Sequence, residues 1–286
     1  MKYAFFGTPE FAAIILRGLI EAQMPPTLVI SNPDRPMGRK KIVMPPPAKS
    51  IAEKSGIPVW QPENLEIGNW KSEISKLGGV DLGVIAAYGK IIPKEILDTL
   101  PDKFIVVHPS LLPRWRGATP IQSAILAGDK ITGTTLFLAD EKIDHGPIIA
   151  GREFPISPST PSSGPRGNLQ FSTLHDKLAE LGAKLLLETL PKFLRGEIKA
   201  QAQNEEYATY TKKFSTDDAY VDLAKDDPIA IERKVRALNP EPGVWTLQQA
   251  QGKPKRMKIL EAELTDGKLR LKKIQWEGKT PQDLQI

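Results

Sequence analysis

The chain has 286 residues, 40% hydrophobic and 26% charged, with a formal net charge of +5: an ordinary globular make-up, long enough for two domains. It has no cysteine and three scattered histidines, His108, His145 and His175, which excludes disulfides, thiolate metal sites and a cysteine nucleophile and leaves no metal cluster. No apolar run approaches the roughly 20 residues of a membrane span, and the opening MKYAFFGTPEF is not a signal peptide, so a cytoplasmic protein without a metal is expected.

Lys2 to Phe6 reads as a buried strand, which Gly7 to Pro9 turn into a helix reaching about Ala22, since proline suits a first helical turn. A single glycine stands where a dinucleotide site would have GxGxxG, so that function has little support. Thr27 to Ile30 is the second strand. Asn32 to Lys49 then holds five prolines and a glycine, and is expected as a long irregular loop. Arg35, Arg39, Lys40, Lys41 and Lys49 face Asp34 alone there. A solvated loop is the common role of such a run; its length and charge suit an electrostatic arm for phosphates.

A helix over Ser50 to Ser55, a short strand at Pro58 to Trp60 and a strand buried on both faces from Gly79 to Ala87 follow. Pro93 begins another helix, and the apolar run Phe104 to Val107 delivers His108 to the head of a loop made irregular by Pro109 and Pro113. Thr119 to Ala127 reads as a helix, Gly133 to Ala139 and Pro147 to Phe154 as strands, and Leu174 to Leu194 as an amphipathic helix. Between them Ser157 to Asn168 is a low-complexity excursion. From Tyr207 onward come short alternating runs, Val244 to Leu247, Met257 to Ala262 and Lys268 to Ile274, with one helix, Pro228 to Ala237. A small OB-like β-barrel fits. Over 207 to 286, 15 Lys and Arg oppose 12 Asp and Glu, a surplus of three in the direction of nucleic-acid contact.

Two residues stand out chemically. His108, at a strand end, is the candidate general base or electrostatic catalyst. Asp144, in the turn of KIDHGPI, is a candidate carboxylate to orient it, although aspartate in a turn is commonly structural. The residues alone lead to an α/β enzyme with a His/Asp site and a basic loop.

The ordered motifs GTPEFA (Gly7 to Ala12), NPDRPMGR with MPPPAK (Asn32 to Lys49), VIAAYGKIIP (Val84 to Pro93), HPSLLPRWRGATPIQ (His108 to Gln122), TGTT (Thr132 to Thr135) and DHGPI (Asp144 to Ile148) closely resemble the methionyl-tRNA formyltransferase family. RALNPEPGVW (Arg236 to Trp245) and GKLRLKKIQWEGKTP (Gly267 to Pro281) resemble its second domain. The resemblance implies a Rossmann-like α/β formyltransferase domain over 1–195, a linker over 196–206 and an OB-like domain over 207–286. It implies formyl transfer from 10-formyltetrahydrofolate to the methionyl amine of initiator tRNA, by a monomer needing no metal or membrane. Ser110, Leu111, Leu112 and Pro113 would line the folate site, with Ile85, Ala86, Ala87, Tyr88 and Gly89 as a further wall, and the Asn32 to Lys49 loop would grip the acceptor arm. His108 and Asp144 would move the amine proton and steady the oxyanion.

One position departs from the family. Its catalytic set is Asn, His and Asp, with the Asn two residues before the His, where this chain has Val106. Residues two apart on a strand share a face, and valine cannot donate a hydrogen bond. A water, a backbone N–H or the Ser110 hydroxyl could stand in for the amide. The alternatives are a sugar-amine N-formyltransferase, which would not require the basic loop, and a folate- and tRNA-binding homologue with impaired chemistry.

Overall fold

The computed structural model describes residues 1–38, 41–156, 169–250 and 252–284. Arg39, Lys40 and the Ser157 to Asn168 excursion lie outside the described residues. The chain divides into two compact units, one from Met1–Arg116, Gly133–Phe154 and His175–Thr209, the other from Gly117–Thr132, Pro155–Leu174 and Tyr210–Ile286.

The first unit is built on a seven-stranded sheet. In chain order its elements are β1 (Tyr3–Gly7), α1 (Glu10–Glu21), β2 (Leu28–Ile30), the hairpin strands β3 (Arg35–Met37) and β4 (Ile42–Met44), α2 (Pro47–Lys54), β5 (Val59–Trp60), α3 (Ile67–Lys76), β6 (Leu82–Ala86), α4 (Lys94–Leu97) and β7 (Phe104–His108). After α5 (Pro120–Ala127), which belongs to the second unit, come β8 (Ile131–Leu138), β9 (Ile148–Pro155) and α6 (Phe171–Leu194). The sheet order is β5-β2-β1-β6-β7-β8-β9. Strands β5, β2, β1, β6 and β7 run parallel, and β8 joins β7 antiparallel.

The chain moves outward from β1 to β2 and β5, then returns to lay β6 and β7 on the other side. Open α/β sheets bind ligands outside the carboxyl ends of the strands at such a reversal. Gly7, Ala86 and His108 end β1, β6 and β7 there.

The strands form because β-branched and aromatic residues fill a sheet covered on both faces; all five residues of β1 are buried. Against the sheet, Phe6 near the end of β1 meets Trp70, Tyr88 and Phe104, the first residue of β7, at ring-centroid separations of 5.7, 5.5 and 5.9 Å. Trp70, wholly buried, donates its indole N–H to the Thr99 hydroxyl at 3.1 Å. Its helix α3 has no counterpart among the elements expected from sequence, although Ile67, Trp70, Ile74 and Leu77 keep the i, i+3, i+4 spacing of an apolar helix face.

The basic segment after β2 is corrected in one respect. It is a two-stranded hairpin, β3 pairing with β4 in the register Arg35–Met44, Pro36–Val43 and Met37–Ile42, followed by a helix that begins at Pro47 rather than at Ser50. Proline is compatible with an isolated edge pair, where no second neighbour needs its missing N–H.

The stretch 196–206 is bonded into the first unit: Ile148 and Gln201 exchange backbone hydrogen bonds of 2.7 and 2.8 Å. The second unit carries α7 (Pro228–Leu238) and the antiparallel strands β10 (Trp245–Ala250), β11 (Lys253–Thr265), β12 (Lys268–Trp276) and β13 (Gln282–Asp283), paired in that order. Asp227 caps α7 by accepting from Ala230 N. Trp245, at the start of β10, meets Tyr220 in a tilted ring contact at 4.9 Å and lies under the Arg256 guanidinium at 4.2 Å.

Trp70→Ala would empty the largest fully buried side chain among the described residues from its packing against Phe6 and Phe104. A loss of about 3–5 kcal/mol is expected, read as a lower urea midpoint at unchanged m value.

Candidate active site

His108 ends β7 and faces Thr135 of β8 across the antiparallel pair. That register organises the loop after it. The Thr135 hydroxyl donates to Ser110 O at 2.6 Å and accepts from Leu112 N at 3.1 Å, so one side chain pins both ends of Ser110–Leu112. The Ser110 hydroxyl donates to Arg114 O at 2.7 Å. Its hydrogen is engaged within its own loop.

The imidazole is nearly buried, and each ring nitrogen has an oxygen opposite. Nε2 lies 3.1 Å from the Trp115 carbonyl, and Nδ1 lies 3.6 Å from Asp144 Oδ2. A carbonyl can only accept, so Nε2 is the nitrogen that donates to it, and Nδ1 is the one that faces Asp144. The Asp144 side chain is 18% exposed against 6% for His108, so the carboxylate is the more accessible member. Catalytic contacts are commonly long without substrate and tighten in the complex. The His108–Asp144 pairing expected from sequence is thus brought together across 36 residues.

Asp144 sits in a tight turn with φ of +49°. Gly146, two residues on, packs so closely on the Leu138 carbonyl that a Cβ would collide with it. Gln203 Nε2 donates to the carbonyls of Asp144 and Gly146 at 3.0 and 2.8 Å. Gln203 Oε1 accepts in turn from Arg116 Nε and Nη2 at 3.1 and 2.8 Å, and Arg116, without exposed surface, also forms a two-pronged pair with Glu205 at 3.0 and 2.7 Å. The hydrogen bonds from Arg116 hold the Glu205 carboxyl below the usual carboxylate range. Sequence reasoning did not single out Thr135, Arg116 or Gln203. Thr135 and Arg116 lie in motifs that were noticed, TGTT and HPSLLPRWRGATPIQ, whereas Gln203 lies in none.

Val106 is half-buried and shares a face with His108; it lies opposite Ile85 of β6 and Phe137 of β8. Ile85 is likewise half-buried, while Ala87 and Gly89 are exposed and take positive φ of 46° and 81°. Tyr88, between them, turns its ring into the aromatic core, and its carbonyl accepts from Thr8 Oγ1 and Asn32 Nδ2 at 3.0 and 2.9 Å. Of the expected folate wall, the open elements are therefore the Ile85 side chain and the backbone at Ala87 and Gly89. Leu111 and Pro113 are half-buried and Leu112 and Ala86 are buried.

In the basic segment, Arg35 and Lys41 are exposed, and Ile42, Val43 and Met44 present 60, 62 and 49% of their surface. Lys49 differs: its ammonium contacts both oxygens of Asp34 at 2.9 Å and is 17% exposed. Gln61, then Lys49, hold the Asp34 carboxyl below its ordinary value. Lys49 ties down the base of the hairpin.

A family model described as formyl transferase matches residues 1–190, and one described as formyl transferase, C-terminal domain, matches 213–269. The chain belongs to the formyl transferase family. The methionyl-tRNA formyltransferase of Bartonella tribocorum is 37% identical over 268 residues, covering 93% of this chain and 83% of that protein. Among solved structures, a methionyl-tRNA formyltransferase from Clostridium thermocellum superposes with a TM-score of 0.61 at 17% identity, over 96% of this chain and 98% of that one. HypX from Aquifex aeolicus in complex with tetrahydrofolic acid gives 0.64 at 19% identity, over 99% of this chain and 46% of that one. At these identities the structures show a shared fold, and the chain spans under half the length of HypX.

Burial pushes the Tyr88 phenol up to about 12, and its hydroxyl has no hydrogen-bond partner among the described residues. An unfolded tyrosine ionises near 10, so the folded state holds this proton longer and stability falls as pH climbs from about 10 through about 12. Tyr88→Phe is expected to be neutral to about 1 kcal/mol stabilising at pH 7 and to shallow that alkaline loss, as followed by urea midpoints across pH 9–12.

Proposed function

We propose that the protein transfers a formyl group from a folate donor, 10-formyltetrahydrofolate, to the methionyl amine of initiator tRNA. The observation that carries the reading is the nearly buried His108 facing Asp144 at 3.6 Å at the head of a loop matching the family motif. The relatives' names supply the substrate class. The donor's ring is flat, with amide-like edges. The half-buried Ile85 and Val106 offer it an apolar wall, and the exposed backbone of Ala87 and Gly89 offers peptide groups to its edge.

The donor supplies an activated formyl carbon when bound. Attack by the neutral amine forms a C–N bond and leaves a proton on nitrogen, which the accessible Asp144 carboxylate takes directly or through His108 Nδ1. That proton then returns to the departing folate nitrogen, so the dyad ends as it began. The formyl oxygen gains charge during attack. With valine at 106, its stabilisation falls to His108, backbone N–H groups and water, a weaker set than one with a fixed amide.

The exposed cations of the hairpin, Arg35 and Lys41, suit the phosphates of an acceptor stem, with Arg39 and Lys40 in the same basic run. Lys49 contributes by fixing the hairpin's base. Residues 1–195 carry the chemistry in this reading, and 207–286 act as the second, OB-like domain.

Single-turnover formyl transfer tests the proposal. The natural protein is expected to exceed His108→Ala by about a hundredfold or more, and Val106→Asn to run faster than the natural protein by up to about a hundredfold, because it restores an oxyanion donor. Equal rates for the natural protein and His108→Ala would overturn catalysis at this site. In equilibrium binding of charged initiator tRNA, Arg35→Ala and Lys41→Ala should each lower the salt-dependence slope by about one; an unchanged slope in both would remove the hairpin from the interface.

A further inference from the structure

The stretch 201–209, of which the sequence suggests 201–206 as part of a linker and 207–209 as the start of the second domain, is bonded to both partners' supports in the dyad. On the Asp144 side, Gln203 donates to the carbonyls of Asp144 and Gly146. On the His108 side, Thr209 accepts from Trp115 N through its hydroxyl at 2.9 Å and from Arg116 N through its carbonyl at 2.8 Å, and Trp115 carries the carbonyl opposite His108 Nε2. Trp115 itself has a positive φ of 64°. Two uncommon backbone conformations, at Trp115 and Asp144, are therefore held from one strip of chain. Residues kept in such conformations persist only where their surroundings over-determine them.

The orientation of Gln203 is not free. Its oxygen accepts from two nitrogens of the buried Arg116, a group that can only donate. The amide nitrogen must then point the other way, toward two carbonyls that can only accept. We infer that Gln203, oriented by Arg116, is a positioning residue that sets the Asp144 carboxylate against His108. It touches neither substrate nor the reacting atoms and acts through the Asp144 turn. This inference rests on the formyl-transfer reading for its kinetic test and on geometry alone for its spectroscopic one.

Gln203→Glu keeps the length and the attraction to Arg116, yet replaces both donors with an oxygen facing two carbonyls. Formyl transfer is expected to fall about 10- to 100-fold in kcat, the scale of a small misplacement of a catalytic group, with KM for donor and tRNA within about twofold. In an Asp144→Asn background the same change should cost nothing further, since its effect passes through that carboxylate. Unchanged kcat, or a loss that multiplies with that of Asp144→Asn, overturns the inference in favour of a structural role. Long-range 1H–15N spectra of the three imidazoles need no turnover, so they decide the point even if the natural protein proves unable to formylate, an outcome that would overturn only the proposed reaction. His108 ring shifts should move in Gln203→Glu in the same sense as in Asp144→Asn, and unmoved shifts refute positioning. Should Gln203→Glu not fold, Gln203→Met replaces it in both measurements; failure of both to fold also counts against the inference.

Discussion

Arg116 is a cation with no exposed surface, and the site geometry depends on how that charge is accommodated. Bringing a guanidinium out of water costs several kcal/mol, recovered only where its donors meet well-placed acceptors. Here Glu205 takes the two-pronged contact and Gln203 takes two more bonds. Glu205 is itself more than half exposed, so its carboxylate keeps part of its hydration while neutralising the buried charge. The guanidinium thereby draws the 203–205 stretch onto the loop after β7. The turn that bears Asp144 is tied to the same stretch.

The other support is apolar. Phe6 near the end of β1, Tyr88 just after β6, Phe104 at the start of β7 and Trp70 of α3 form a ring cluster against the sheet, and dense packing of this kind resists displacement of the strands it joins. Above it the sheet changes from parallel to antiparallel at β8, and this juxtaposes Thr135 with His108. A one-residue slip in that pair would turn Thr135 to the opposite face and release both of its bonds to the loop after β7. The aromatic layer and the hydroxyl thus do complementary work, one packing the strands together and the other holding the path of the loop.

Charge in the basic segment divides by role in a way its composition conceals. Lys49 is committed to Asp34, with Gln61 closing the same group, whereas Arg35 and Lys41 remain at the surface beside three exposed apolar residues. A surface ion pair between mobile side chains contributes little. The Lys49 pair is mostly shielded and shares an acceptor with a neutral donor, so it can hold the hairpin's base.

The sequence by itself determined most of the strand and helix positions, the α/β character of the first unit, the placement of His108 at a strand end and the family, because these follow from local periodicity, proline positions and contiguous motifs. It left α3 unnoticed and made the hairpin an irregular loop, since five prolines outweigh the short strand signal. That Asp144 faces His108, that Gln203 and Arg116 support that turn, and that Lys49 turns inward were decided only by tertiary structure. These partners are separated by 15 to 87 residues. Whether they meet depends on strand register, on buried charge seeking acceptors and on the packing beneath, none of which leaves a periodic trace along the chain.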